Sequence, residues 1–131
     1  MIPYEFIYSF TTTVLDIDKS IRWVGITNKE GLIINEKYRK EVKPLLTEEE
    51  NEDYASNAIS RQRTRIQFEQ KIGKLIYAFG KYENLNRATI PIDTNYFLLL
   101  SMDPQDINFD KVIMNKIIPL INESKNNFIS I

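Results

Sequence analysis

Trp23-Val24-Gly25-Ile26-Thr27-Asn28-Lys29-Glu30-Gly31-Leu32-Ile33 holds two short apolar runs on either side of a polar turn. Branched side chains such as Val, Ile and Thr fit a pleated surface, so each run reads as a strand. Asn28-Lys29-Glu30-Gly31 reads as the tight turn between them, because glycine reaches positive φ without steric cost. The first strand covers residues 22–27, and the second opens at Leu32 and runs to about Tyr38. A two-stranded hairpin alone is marginal in water and needs further strands beside it or helices over it. The flanking sequence is therefore read for both.

Upstream, residues 3–20 read as a helix. Pro3 suits a first helical turn. Phe6, Phe10, Thr13 and Ile17 share one side, with Ile7, Val14 and Ile21 beside them, at spacings of three and four. The β-branched run Thr11-Thr12-Thr13 pulls the other way. Downstream, residues 39–46 form a polar connection containing Pro44. Thr47-Glu48-Glu49-Glu50 marks a helix start, with Thr47 as cap, Glu50 completing a capping box, and acids at the positive end of the helix dipole. That helix carries Ala55, Ala58, Ile59, Gln62 and Ile66 along one face and is expected to end before Gly73.

Three more strands follow, over 75–82, 86–92 and 96–102. Glu83-Asn84 and Asp93-Thr94-Asn95 are the turns between them. The run Tyr96-Phe97-Leu98-Leu99-Leu100-Ser101-Met102 is continuously apolar, as expected of a strand covered on both faces. Asp103-Pro104 ends it. A final helix capped by Asp106 or Asn108 carries Phe109, Val112, Ile113, Lys116, Ile117, Leu120 and Ile121. Pro119 is expected to kink or fray it. The polar tail from Glu123 is expected to be loose until Phe128-Ile129.

The composition bounds the chemistry. The chain has 131 residues, 43% hydrophobic and 27% charged, which suits one globular domain over residues 1–131. Lys and Arg number 17 against 18 Asp and Glu, for a net charge of -1, so no global basic excess points to nucleic acid. Cysteine and histidine are both absent. Disulfides, thiolate metal sites and Ser–His or Cys–His nucleophile pairs are thereby excluded. The start of the sequence lacks a basic segment followed by a long apolar run, and no stretch approaches the ~20 apolar residues of a membrane span. The expected location is the cytoplasm, with no membrane partner.

The elements read α-β-β-α-β-β-β-α, which packs most simply as an α+β fold with a five-stranded antiparallel sheet and helices on its faces. That order, with a first helix running straight into residues 23–33, resembles the roadblock/LC7 family of profilin-like fold. The resemblance covers residues 6–122 and is one of pattern, without a catalytic signature. It implies a non-catalytic, regulatory protein-binding domain with no cofactor. It also implies homodimers or heterodimers, often regulating small Ras-like GTPases or acting as scaffolds.

In that fold the strand over 75–82 lies at a sheet edge. A long apolar edge invites pairing with another chain, and Lys74 and Lys81 guard only its ends. Leu75, Tyr77 and Phe79 are therefore the candidate dimer contacts, joined by Ala58 and Gln62 if the middle helix packs against its own copy. The plainer alternative is an edge covered within one chain.

Other features have ordinary readings. Arg61 and Arg65 share a helix face and are the pair to contact an anion or an acidic partner, while Arg63 points about 200° away from Arg61. A solvated face balanced by Glu52 and Glu69 is the simpler reading. Glu48, Glu49, Glu50, Glu52 and Asp53 could hold a metal but suit a helix N-terminus as they stand. Lys37, Arg39, Lys40 and Lys43 form a basic stretch interrupted by Glu36 and Glu41, read as a charged loop rather than a nucleic-acid site. Trp23, Tyr77 and Phe79 are expected in the core or an interface. The rival functional reading is a small-molecule sensor of profilin-like fold. An enzyme built on Asp, Glu, Lys or Tyr is the least supported.

Overall fold

The computed structural model describes residues 3–129. Helix α1, Pro3–Leu15, absorbs its threonine run by back-bonding. The Thr11, Thr12 and Thr13 hydroxyls donate to the Ile7, Tyr8 and Ser9 carbonyls at 2.8, 3.2 and 2.9 Å, satisfying groups that would otherwise compete with the helix. α1 ends at Leu15, five residues short of the expected 20, because Asp18 organises a turn. Its carboxylate accepts from the Ser20 amide and hydroxyl at 3.0 and 2.6 Å, which holds its pKa below the usual value. Arg39 then caps the helix end, donating to the carbonyls of Leu15, Asp18 and Ile21 at 2.6, 2.7 and 2.6 Å. A residue of the supposed basic loop is thus a structural clip.

Strands β1, Ile21–Asn28, and β2, Ile33–Tyr38, form the expected antiparallel hairpin. The Asn28 side chain accepts from the Glu30 and Leu32 amides, and Gly31 takes φ 86°. Helix α2, Glu48–Ile66, starts on the expected capping box: Thr47 Oγ1 accepts from the Glu50 amide, and Glu50 Oε1 accepts from the Thr47 amide. The helix does not run on to Gly73. It stops at Ile66, and a separate turn, α3, spans Glu69–Ile72 before Gly73 at φ 86°.

Strands β3, Ala78–Lys81, β4, Asn86–Pro91, and β5, Tyr96–Met102, complete a sheet of order β2-β1-β5-β4-β3, antiparallel throughout. β3 is shorter than the expected 75–82. Ala78 faces Thr89, so continued register would set Ile76 opposite Pro91, which has no N–H to give to a ladder. β5 has the expected bounds and is buried on both faces.

The C-terminal helix comprises α4, Phe109–Val112, a π-helical turn, Ile113–Ile117, and α5, Ile118–Ile129. Asn108 is at its N-cap position but makes no side-chain cap bond; Asp106 accepts from the Asn108 amide instead. Pro119 neither stops nor frays the helix. The turn before it widens, with the Ile118 amide reaching the Ile113 carbonyl, and helix continues beyond. The expected loose tail is therefore helical to Ile129, anchored by Phe128. The Phe128 ring meets those of Phe6 and Phe10 edge-on at 4.9 and 5.1 Å.

The result is three layers. α1 and the C-terminal helix cover one face of the sheet over Val24, Ile26, Ile90, Leu98 and Leu100. α2 covers the other, where Ala55 and Ala58 pack on Trp23 and Leu99. Among the described residues, no helix is long and apolar enough to cross a membrane.

Candidate interaction surface

β3 is a sheet edge, as expected, paired to β4 on one side only. Tyr77 and Phe79 lean toward the C-terminal helix. Phe79 stacks on Phe109 with centroids 3.8 Å apart and planes at 14°. The Tyr77 hydroxyl donates to the Asp110 carboxylate, and that bond is the main reason the phenol is pushed up to about 12. On the opposite face Tyr82, just beyond β3, places its hydroxyl 3.2 Å from that of Tyr54 on α2. Contacts on both faces thus hold the edge strand in place while leaving its outer rim open to a partner.

Ala58 and Gln62 are 1% and 3% exposed, so they serve this chain's own packing under α2. The outward surface of α2 includes Glu52, Asp53, Ser56, Asn57, Ser60, Arg61 and Thr64. The Arg61 guanidinium lies 5.8 Å from the Tyr54 ring, whereas Arg65 donates to Gln62 Oε1 at 3.4 Å. Arg63 reaches the Lys29 carbonyl at 3.3 Å. The shared helix face of Arg61 and Arg65 is real, but their local partners differ, and among the described residues neither forms an ion pair with Glu52 or Glu69. The acids at the start of α2 act as cap and dipole complement. Among the described residues no group of three or more metal-ligating side chains is gathered.

An exposed apolar surface escaped the sequence reading. Ile66, Phe68, Ile72 and Ile76 are all more than half exposed, Ile72 at 82%. They run from the end of α2 through α3 to the approach to β3, and Ile66 and Ile76 border a groove of about 890 Å³. Leu75, Pro91, Ile118 and Ile121 line its apolar walls. A continuous helix to 72 followed by a strand from 75 left no room for this surface. The signal was an excess of apolar residues, Ile66, Phe68, Ile72, Leu75 and Ile76, over what one helix face can bury.

Arg87 was also missed. It alternates with Ala88 on β4 and would face solvent if that side of the sheet were bare, yet it is 5% exposed beneath α2. It donates to Asn51 Oδ1 at 3.1 Å and lies 3.9 and 5.1 Å from the Tyr54 and Trp23 rings. Burial pulls its pKa down against the opposing pull of the neighbouring tyrosines. Burying a charge costs several kcal/mol, whereas a charged hydrogen bond returns ~1.5–3 and each ring ~0.5–2 kcal/mol.

No family model matches the sequence, and no curated protein matches it. Solved structures do. The gliding protein MglB from Thermus thermophilus is similar at TM-score 0.72 and 10% identity, over 97% of this chain and 88% of that one. A roadblock/LC7 domain from Streptomyces avermitilis is similar at TM-score 0.70 and 8% identity, over 92% and 96%. An MglB with tetrameric arrangement is similar at TM-score 0.68 and 11% identity, over 95% and 93%. Element order, the β2-β1-β5-β4-β3 antiparallel sheet and these likenesses agree: the chain has the roadblock/LC7 fold.

Proposed function

We propose that this chain is a non-catalytic interaction module that pairs with a second copy of itself along β3 and the end of α2, and in that form regulates or scaffolds a small GTPase. One observation carries the reading: an open edge strand adjoins the exposed surface of Ile66, Phe68, Ile72 and Ile76. The edge supplies unpaired backbone groups, and the neighbouring surface supplies apolar area worth ~25 cal/mol per Å² removed from water. The MglB with tetrameric arrangement is a fold relative that assembles. The GTPase half rests on what the family resemblance implies. Leu75, Tyr77 and Phe79 remain the proposed edge contacts and Arg61 and Arg65 the polar contacts of a partner, whereas Ala58 and Gln62, buried under α2, drop out of the pairing surface.

Light scattering across a wide concentration range tests the self-association. The expected mass is twice the 15.4 kDa chain. Ile72→Asp with Ile76→Asp is expected to return it to a monomer with unchanged circular dichroism, since both side chains are exposed. A strict monomer at all concentrations would defeat the reading. For the GTPase half, an unchanged hydrolysis rate and no complex with small GTPases of the same genome would be the defeating result.

The groove favours a second reading, a small-molecule sensor. Its volume of about 890 Å³ is within the ~300–1,000 Å³ range of ligand pockets. Native mass spectrometry of freshly purified protein tests it, and a ligand of fixed mass surviving purification is the expected result.

A further inference from the structure

Among the described residues the buried Arg87 carries a positive charge and forms no ion pair. Its contacts are an amide oxygen, Asn51 Oδ1, and two aromatic rings. Beside it is a small, partly open cavity of about 20 Å³, lined on one side by the 42–46 connection. Arg22 and Lys43 join Arg87 in lining it, and Tyr38, Asn51 and Ser101 add neutral polar groups; no Asp or Glu lines it. Arg22 is paired with Asp103 at 3.1 Å, but Arg87 and Lys43 form no ion pair among the described residues. The nearby Glu36 is engaged by the Trp23 indole N–H at 3.1 Å.

A cavity of this size exceeds what one water needs and suits a small oxyanion head. Guanidinium and ammonium groups bind such heads by charge-assisted hydrogen bonds, strongest where water is excluded. From this geometry we propose that the cavity between β1, β4, the first turns of α2 and the 42–46 connection binds a small oxyanion, a phosphate or a carboxylate, on Arg87 with Lys43 assisting. The anion supplies the missing counter-charge and ties the 42–46 connection to the sheet. This site is on the sheet face under α2, independent of the pairing proposed for the β3 edge.

The test uses a reporter already in place. Trp23 lines the cavity and is the sole tryptophan of the chain. Its emission is followed while inorganic phosphate, and separately acetate, is added at constant ionic strength, with chloride as the control. A saturable change with phosphate or acetate but not chloride is expected, and whichever responds at lower concentration identifies the headgroup. Asn51→Asp places a carboxylate beside Arg87 and is expected to weaken the response about tenfold or more with the fold retained, as is Arg87→Met if it folds. Lys43→Met, on the exposed connection, is expected to weaken it several-fold. No saturable change in the unaltered chain, a change that chloride reproduces, or one that Asn51→Asp leaves intact would overturn the proposal.

Discussion

The two faces of the sheet are built on different terms. Under α1 and the C-terminal helix the filling is almost wholly apolar, with the Phe6–Phe10–Phe128 cluster closing it at one side. Under α2 the apolar set is smaller, Trp23, Leu99, Ala55, Ala58 and Ile59, and buried Arg87, Thr89, Ser101, Asn51 and Gln62 share the space. Apolar burial is non-directional and scales with area, so the first face supplies stability. A buried polar set tolerates only arrangements that satisfy each group, so the second specifies how α2 sits. The proposed pairing surface and anion cavity both adjoin α2. The face that is costlier to build is the one beside both proposed recognition features.

Four substitutions break or sharpen this contrast. The largest expected effect is Phe128→Ala, which empties the aromatic cluster and loosens the end of α5 that this ring anchors. A loss of ~3–5 kcal/mol in urea unfolding is expected; a loss under ~1 kcal/mol would mean that the end of α5 is dispensable. Asn51→Ala on the other face strips the buried guanidinium of its hydrogen bond, and ~2 kcal/mol is expected in the same measurement. Equal stability to the parent chain would show that the rings suffice.

The smallest effect is in alkali. Tyr77 and Tyr54 are both pushed up to about 12 from the ordinary 10.0, one chiefly by its bond to Asp110 and the other chiefly by desolvation. A raised phenol pKa favours the neutral form in the folded chain. Its contribution is complete below the unfolded value and is lost as pH rises from 10.0 toward about 12. Tyr77→Phe is expected to flatten part of that alkaline loss and Tyr54→Phe another part. Unfolding curves of the parent that do not vary across this window would contradict both shifts.

Much of the frame was legible because its signals are local. The capping box at Thr47 and Glu50, the Asn28–Gly31 turn and the apolar run of β5 each depend on neighbours within a few residues. What was misread depended on distant partners. α1 stops where Arg39, more than twenty residues later, takes its end carbonyls. The polar-looking tail is helical because Phe128 finds Phe6 and Phe10 across the chain. β3 is short because of Pro91 on its neighbour, and Arg87 is buried because α2 covers an alternating strand.

The sequence by itself determined the element order, the hairpin, the sheet of five antiparallel strands and the exclusion of cysteine and histidine chemistry. Those follow from periodicity, turn residues and composition. Only the tertiary structure decided which apolar residues stay outside and which charge goes inside. Ile72 and Arg87 break the rule of apolar in and charged out, and Arg87 is placed by the sum of contacts from α2 and β1. No single stretch of chain carries that sum.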